Sequence, residues 1–410
     1  MIAPQQRFAT ESGTDFVAES EIGVGGQGSA WRVRSVRAGR AAVLKLFDPA
    51  LLQAHPQIEP RTRKMVSLEL WRHSPGLTAA PREVVSSPAF GYTAEFVDGR
   101  SIDEYAAANL GDRLRLFAVA VGLAQALDTL ERQGIAHGDL SPRNVLVAER
   151  PRAVPRVYLI DLDNVRLPGP DMPPVVGTPL YMAPELYAGS VRPNLETDRF
   201  ALGAVLHEVL LGRHPAAAWM PPGAQTASQV RVMARNDWVH ADEHASAGGY
   251  PSLTLSAKLR RMFRRALSTD AAKRPRACEW KAALRSALDQ LWECPSCQIA
   301  CVNDDDRDAC PACGASAAEL TLRVAGAGKI ALTRPAVRLG RHALGGAPDL
   351  SHTHAIFEWN GFIPTVRDVS RHGTSLRRGK SWVALPEDEP VEVRAGDRLR
   401  FGSAVEAVVE

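Results

Sequence analysis

The sequence has almost no excess charge of either sign: Lys plus Arg number 49 and Asp plus Glu 46, a formal net charge of +3. That balance gives no general attraction to nucleic acid or to an anionic membrane surface. No apolar run reaches bilayer-spanning length. The most apolar stretch, Phe117 to Leu130, is broken by Gly122, Gln125 and Asp128, so no membrane association is expected. The first fifteen residues, MIAPQQRFATESGTD, lack the apolar centre of a secretory signal. Repeats and low-complexity tracts are missing too, and 45% apolar residues with 32 Gly and 29 Pro spread along 410 positions is ordinary globular usage. Cysteine is scarce outside one cluster: of six, at 278, 294, 297, 301, 310 and 313, five fall within twenty residues. A disulfide framework would scatter through a small secreted chain, whereas such clustering points to a metal. The expectation is a soluble, cytoplasmic protein of two or three domains.

Three segments follow from patterning. From about Thr14 to Leu291, strand-like runs (Phe16–Ala18, Ala30–Val33, Ala42–Leu44) give way to long Ala/Leu-rich helical stretches, Asp112–Gln133 and Arg199–Leu211. A small strand-rich part before a larger helical part predicts two lobes. Cys294–Cys313 is too short and polar to bury a core. From Glu319 to Glu410 the pattern alternates in period two, as in Leu320–Val324 and Val391–Arg394, with turn signals at Asn360-Gly361, Gly379 and Ala395–Asp397. That reads as an antiparallel sandwich of short strands. Gly314–Ala318 is the expected flexible joint.

The chemistry of the first segment is phosphoryl transfer. Gly23, Gly25, Gly26 and Gly28 lie between two strands, where glycines let backbone amides approach phosphate oxygens. Lys45 follows on an apolar strand, suited to gripping nucleotide phosphates. In His137-Gly-Asp139-Leu-Ser-Pro-Arg-Asn144, Asp and Asn stand five apart on a short loop. That places a base beside a substrate hydroxyl and a neutral oxygen on Mg²⁺. Asp161 ends the apolar strand Val157–Ile160 as a second Mg²⁺ ligand. Singly, each aspartate would be a helix cap or turn residue. Their order, followed by Gly177–Glu185 (GTPLYMAPE), Thr197-Asp198 and Lys273-Arg274-Pro275, is not a chance string.

Residues 14–291 resemble the eukaryotic-like (Hanks-type) Ser/Thr protein kinases found in bacteria. The resemblance implies a bilobal fold with ATP in the cleft, covered by the glycines and contacted by Lys45. It implies Asp139 as catalytic base, Asn144 and Asp161 on Mg²⁺, a Glu185–Arg274 pair holding the large lobe, and Asp198 bracing the catalytic loop. Aligning Gly91–Val97 with the hinge strand puts Ala94 at the gatekeeper position and gives Glu95 to Val97 the backbone bonds to adenine. The helix glutamate that should pair with Lys45 is Glu59 or Glu69. Glu59 precedes Pro60 and belongs at a helix start, so Glu69, inside the predicted helix, is preferred.

The sequence departs from the family at Gly138 (usually Arg), Ser141 (usually Lys) and Leu162-Asp163 (usually Phe-Gly). Residues 162–176 contain no Ser, Thr or Tyr, so the stretch cannot be switched by hydroxyl phosphorylation, which fits loss of the phosphate-binding Arg. Ser141 and Asp163 keep open a catalytically inactive pseudokinase scaffold. HGDLxxxN also resembles aminoglycoside phosphotransferases, but those lack the GTPxYMAPE platform that docks a peptide, which favours protein substrates.

Cys294-Pro-Ser-Cys297 and Cys310-Pro-Ala-Cys313, twelve residues apart, are two knuckles whose thiolates can surround Zn²⁺. Cys301 lies between them, and Cys278 is expected to be an ordinary buried thiol. Trp292, Cys294 and Asn303 loosely resemble Ran-binding-type fingers, but the tip Asp304–Asp308 would repel RNA phosphates. A rigid spacer over 292–316 is expected.

In the third segment come Arg341, Ser351-His-Thr-His354 and Ser370-Arg-His372-Gly373-Thr374. Arg with a Ser hydroxyl and a polar loop makes an anion pocket. The ordered set resembles a forkhead-associated (FHA) domain over 319–410. That implies binding of a phosphothreonine-containing protein, or of this chain's own phosphorylated segment, by Arg341 and Ser351, with His354 shaping the loop. The family's Asn is His372 here, beside Gly373 and Thr374, and the Arg usual after Ser351 is His352. The resemblance as a whole implies a multidomain α+β chain: residues 1–13 as an extension, a kinase domain over 14–291, a zinc ribbon and an FHA-like sandwich. Its cofactors would be ATP, Mg²⁺ and Zn²⁺, and a metal-dependent protein phosphatase is an implied partner.

Overall fold

The computed structural model describes the chain apart from residues 1–2, 74–76, 150–153, 163–164, 167–176, 190, 217–248, 295, 303–308, 316–319, 333–335 and 361–362. Two compact units emerge, residues 1–252 with 258–289, and 253–257 with 290–410.

The first unit opens with an antiparallel six-stranded sheet in the order β1-β2-β3-β4-β6-β5. Its strands are β1 (Arg7–Ala9), β2 (Asp15–Gly25), β3 (Gly28–Ser35), β4 (Ala41–Phe47), β5 (Glu83–Val85) and β6 (Gly91–Glu95). Period-two alternation gives the sheet two apolar faces. Phe16, Ala18, Trp31, Val33, Leu44 and Leu46 cluster on one. Phe47, Val84, Phe90, Tyr92 and Ala94 cluster with Ile58 of helix α2. Before α2 (Ile58–Ser67) comes α1 (Pro49–Ala54), and after it the short α3 (Leu70–His73).

The structure corrects the expected placement of Glu69 inside a helix. α2 stops at Ser67, and Glu69 takes a left-handed φ of +45° between two helices, a conformation that breaks a right-handed helix. Its carboxylate pairs with Arg72, 3.1 Å away. Glu59 does fall in the first turn of α2, as expected.

After β7 (Arg100–Ser101) the chain turns helical: α4 (Ile102–Ala108), α5 (Arg113–Glu131), the strands β8 (Val145–Ala148) and β9 (Arg156–Leu159), α6 (Pro184–Tyr187), α7 (Leu195–Leu211), α8 (Ala257–Ala266) and α9 (Ala277–Asp289). α5 and α7 are apolar nearly all round because both are core helices, α5 packing on α7 and α9. Capping sets the register of α7: the Asn194 side chain accepts from Thr197 N–H while Thr197 Oγ1 accepts from Asn194 N–H. Such a cap stabilises a helix by about 1 kcal/mol. It also fixes where Asp198, one residue further on, points.

In the second unit β10 (Leu291–Glu293) and β11 (Ala300–Val302) form a hairpin. Among the described residues from Leu320 onward, ten strands form two antiparallel sheets. One has the order β13-β12-β21-β20-β17-β18 and the other β14-β15-β16-β19, where β12 is Leu320–Val324, β13 Gly328–Leu332, β14 Ala336–Leu339, β15 Ala355–Asn360, β16 Ile363–Asp368, β17 Thr374–Arg377, β18 Trp382–Ala384, β19 Pro390–Glu392, β20 Arg398–Phe401 and β21 Val405–Val409. Leu322, Val324, Leu339, Phe357, Val366, Leu399, Phe401 and Val409 meet in one core. At roughly 1.5–3 kcal/mol per fully buried side chain, this core is the main stabilising term of the sandwich. Gly379 lies in the β17–β18 turn, as its sequence predicted; the Asn360-Gly361 signal and most of the 314–318 joint extend outside the described residues.

Candidate functional site

A cleft of about 500 Å³ is lined by Gly23, Gly25, Gly26 and Gly28 of the β2–β3 hairpin, by Lys45, Asp139 and Asp161, and by one face of α2. The glycines serve two different ends. A Cβ on Gly23, Gly25 or Gly26 would meet nothing within 4 Å, so these three keep the cleft open. A Cβ on Gly28 would lie 1.9 Å from the Leu46 carbonyl, so that glycine is demanded by the close approach of β4.

Lys45 Nζ lies 2.5 Å from Asp161 Oδ1, and its side chain is only 16% exposed. Asp161 sits at φ +56°, a left-handed conformation that aspartate tolerates better than most residues. The Asp139 carboxylate is held mainly through one oxygen: Oδ1 accepts from both Thr178 N and Thr178 Oγ1 at 2.8 Å, while Oδ2 accepts a longer bond from Asn144 Nδ2 at 3.4 Å. Asn144 Nδ2 donates to the Asp139 carbonyl at 2.8 Å, tying the carboxylate and the amide into one turn.

That turn is braced from α7. Asp198 accepts from His137 N–H at 2.5 Å and Gly138 N–H at 3.0 Å. Burial pushes the Asp198 carboxyl up to about 6, against the pull of His137 and those two N–H bonds. Gly138 has φ +82°, so an arginine there would be strained, a backbone reason for the departure at this position. The Glu185–Arg274 pair is bidentate, 2.6 and 2.9 Å, with the Arg274 side chain fully buried.

Neither glutamate considered for Lys45 lines the cleft. The lining face of α2 carries Ile58, Arg61, Thr62 and Met65. The i, i+3, i+4, i+7 spacing of these four was the available sequence signal, and it puts Arg61 where a glutamate was expected. Glu95 and Val97 do not line this cavity either; Glu95 ends β6 and pairs with Arg82 at 2.5 Å. Ala94 is buried at the edge of β6, opposite Val43. Asp163 and most of the segment to 176 lie outside the described residues.

The ligand atoms of Cys294, Cys297, Cys310 and Cys313 all lie within 4.8 Å of one another. The Cys294–Cys313 and Cys297–Cys310 sulfurs are 3.9 Å apart. Four sulfurs about 2.3 Å from a zinc ion would be about 3.8 Å apart, so the set fits a tetrahedral dication. Both knuckles end in a left-handed residue, Gln298 at φ +60° and Gly314 at +73°, each donating back to the carbonyl of the first cysteine at 2.8 Å. Burial and the neighbouring thiols push Cys297 up to about 12, which a bound cation would reverse. Cys301 is buried and its thiol faces the Ile299 carbonyl, outside this set. Cys278 is half-buried on α9.

In the sandwich, Arg341 is exposed, its Nε donating to the Leu350 carbonyl at 2.8 Å. Ser351 Oγ accepts from Arg371 N–H at 3.2 Å. The fully buried His354 ties the two loops: Nδ1 accepts from Ser351 N–H and Nε2 donates to the Gly373 carbonyl, both at 3.2 Å. Burial holds this imidazole below its ordinary pKa. His372 is exposed beside them, but Thr374 is buried, with its hydroxyl on Asp368. Thr374 therefore anchors the loop from beneath.

A family profile described as the protein kinase domain matches residues 16–284. The Myxococcus xanthus serine/threonine-protein kinase pkn3 is 24% identical over 286 residues, 67% of this chain and 50% of that protein. The pkn2 kinase of the same organism is 27% identical over 284 residues, 66% of this chain and 32% of that protein. The chain thus spans half or less of these relatives' length. Against the solved PknI kinase domain of Mycobacterium tuberculosis the TM-score is 0.46 at 20% identity, covering 70% of this chain and 98% of that one.

Proposed function

The chain belongs to the protein kinase family, and from that premise we propose that it transfers the γ-phosphoryl group of ATP to Ser or Thr hydroxyls of protein substrates. The carrying observation is the convergence of Lys45, Asp139 and Asp161 on the glycine-lined cleft. Mg²⁺, when bound, would neutralise phosphate charge, and Asn144 and Asp161 are the residues that would hold it. Because Thr178 occupies one oxygen of Asp139 with two short bonds, the other, which takes only a 3.4 Å bond from Asn144 Nδ2, is the one to accept the proton of the attacking hydroxyl. Asp198 keeps that base in place through the backbone of His137 and Gly138. Catalysis of this kind is mainly positioning and electrostatics.

The same reading assigns 14–291 to the kinase domain, 292–316 to a zinc ribbon and 319–410 to an FHA-like module. The sulfur spacing supports zinc on the four cysteines. The Arg341–Ser351 loop, held to Gly373 through His354, supports phosphothreonine recognition. Its ligand would be a phosphorylated partner or a segment of this chain, and a metal-dependent phosphatase would reverse the mark. Among the described residues no helix is long and apolar enough to cross a membrane. Incubation with Mg²⁺ and labelled ATP, followed by phosphosite mapping, tests the reading. Phosphoserine or phosphothreonine on protein supports it, and transfer only to a small-molecule hydroxyl overturns it.

A further inference from the structure

The segment ahead of β2 is built into the fold. β1 pairs in register with β2, Arg7 with Val17 and Ala9 with Asp15. Phe8, 6% exposed, stacks on Phe16 with ring centres 5.7 Å apart. The turn that follows is fastened to β5. Glu11 N–H donates to the Val84 carbonyl at 2.8 Å, and the hydroxyls of Ser12 and Thr14 donate to Glu83 Oε1 at 2.5 and 2.6 Å. From this fixed turn Glu11 reaches α2, where the Arg63 guanidinium bonds both of its carboxylate oxygens, Nη2 to Oε1 at 2.7 Å. The same guanidinium lies 5.5 Å from the centre of the Phe90 ring, part of the apolar cluster on which α2 packs.

We infer that Glu11 is a positioning residue for the nucleotide cleft, one that holds, through Arg63, the rotation of α2 about its own axis. This inference rests on the kinase reading and adds a residue to it. Ile58, Thr62 and Met65 share the face of α2 that lines the cleft. Arg63 stands away from that face, about 140° around the axis from Ile58 and about 160° from Met65 at 3.6 residues per turn. The apolar contacts of Ile58 and Val66 with Phe47, Val84, Phe90 and Tyr92 set how near the helix sits, but such contacts are non-directional. A bidentate guanidinium–carboxylate pair has a fixed geometry. Placed on the far side of the helix, it resists the turning that would carry Ile58, Thr62 and Met65 out of the cleft. On the cleft side Arg61 Nη2 bonds the Val165 carbonyl at 2.6 Å, so α2 is tied from both sides of its axis. The Arg63 and Glu11 side chains are 44% and 37% exposed, and a pair so exposed adds little to overall stability. Its effect is on orientation.

The test is calorimetric binding of Mg·ATP to the full chain, with hydrogen exchange of the α2 amides read by mass spectrometry. The proteins are wild type, Glu11→Gln, Arg63→Gln and the double variant. Removing a carboxylate makes the surroundings less repulsive to a polyanion, so the charge change alone would leave Mg·ATP binding of Glu11→Gln unchanged or tighter. The expected result is the opposite: affinity falls about threefold to fivefold, the scale of one exposed ion pair. The α2 amides should exchange faster by a similar factor, with the melting temperature unchanged. The double variant should lose no more than Arg63→Gln alone, because both residues act through one bond. Unchanged or tighter Mg·ATP binding by Glu11→Gln, faster α2 exchange without loss of affinity, a fall in melting temperature, or additive losses would each overturn the inference while the kinase reading stands. Absence of Mg·ATP binding by wild type overturns both.

Discussion

Replacing Arg274 by Met should unfasten the large lobe. The guanidinium bonds both Glu185 oxygens, the Ser268 carbonyl through Nε and Nη2, and the Glu196 carbonyl through Nη1, while lying 5.2 Å from the Phe200 ring centre. Methionine fills much of the volume but satisfies none of these acceptors. It strands a carboxylate that is only 18% exposed. Breaking a buried pair from one side costs about 3–5 kcal/mol, a fall of roughly two to three and a half orders of magnitude in the local folding constant. Glu185→Gln should cost a similar amount by leaving the buried cation uncompensated. The double variant should recover about 2 kcal/mol or more of the summed loss, because the two sites share one interaction. Native-state hydrogen exchange of the α7 and α9 amides, read by mass spectrometry, reports this lobe without requiring the whole chain to unfold in one step. Costs under about 1 kcal/mol, or strict additivity, would refute the claim that this pair anchors the lobe.

Elemental analysis should find one zinc per chain, and Cys297→Ser or Cys313→Ser should abolish it while Cys301→Ser should not. Arg341→Ala and Ser351→Ala should each weaken binding of phosphothreonine peptides at least tenfold in fluorescence polarisation, with Thr374→Ala instead lowering the sandwich's melting temperature. His354 is neutral in the folded state and its pKa is depressed below 6.5. The unfolded chain therefore takes up the proton first, so the stability this residue contributes is present above pH 6.5 and declines as pH falls below it. Denaturant titrations of wild type and His354→Gln across pH 5–8 check the sign, since the variant should lose that slope. Ala94→Met should reduce the potency of bulky ATP-site inhibitors; unchanged potency would show that Ala94 does not guard the back of the cleft.

Residues fixed by short spacing on a loop are legible in the sequence itself. The five-residue interval from Asp139 to Asn144 closes one turn, with an Asn144 side-chain bond to the Asp139 carbonyl, and the alternation in Leu320–Val324 is the inward and outward alternation of β12. The Glu185–Arg274 pair, 89 residues apart, is legible only through family resemblance, because nothing local joins them. The placement of Glu69 fails since no Gly or Pro marks the end of α2; a left-handed glutamate leaves no signature in composition. The i, i+3, i+4, i+7 stripe of Ile58, Arg61, Thr62 and Met65 is legible as one face of α2, but a charged residue on a helix is ordinarily solvated, and it takes the fold to show that this face lines the cleft. Thr374 has the residue type of a ligand contact, but Asp368 claims its hydroxyl from within the fold.

The most direct measurement is phosphoryl transfer by wild type beside Asp139→Asn, with Mg²⁺ and labelled ATP. Asparagine keeps the oxygen that Thr178 bonds and removes the capacity to take a proton, so the fold is preserved while activity falls about 100-fold or more. Equal transfer by the two proteins would contradict Asp139 as the base, and with it the account of the cleft.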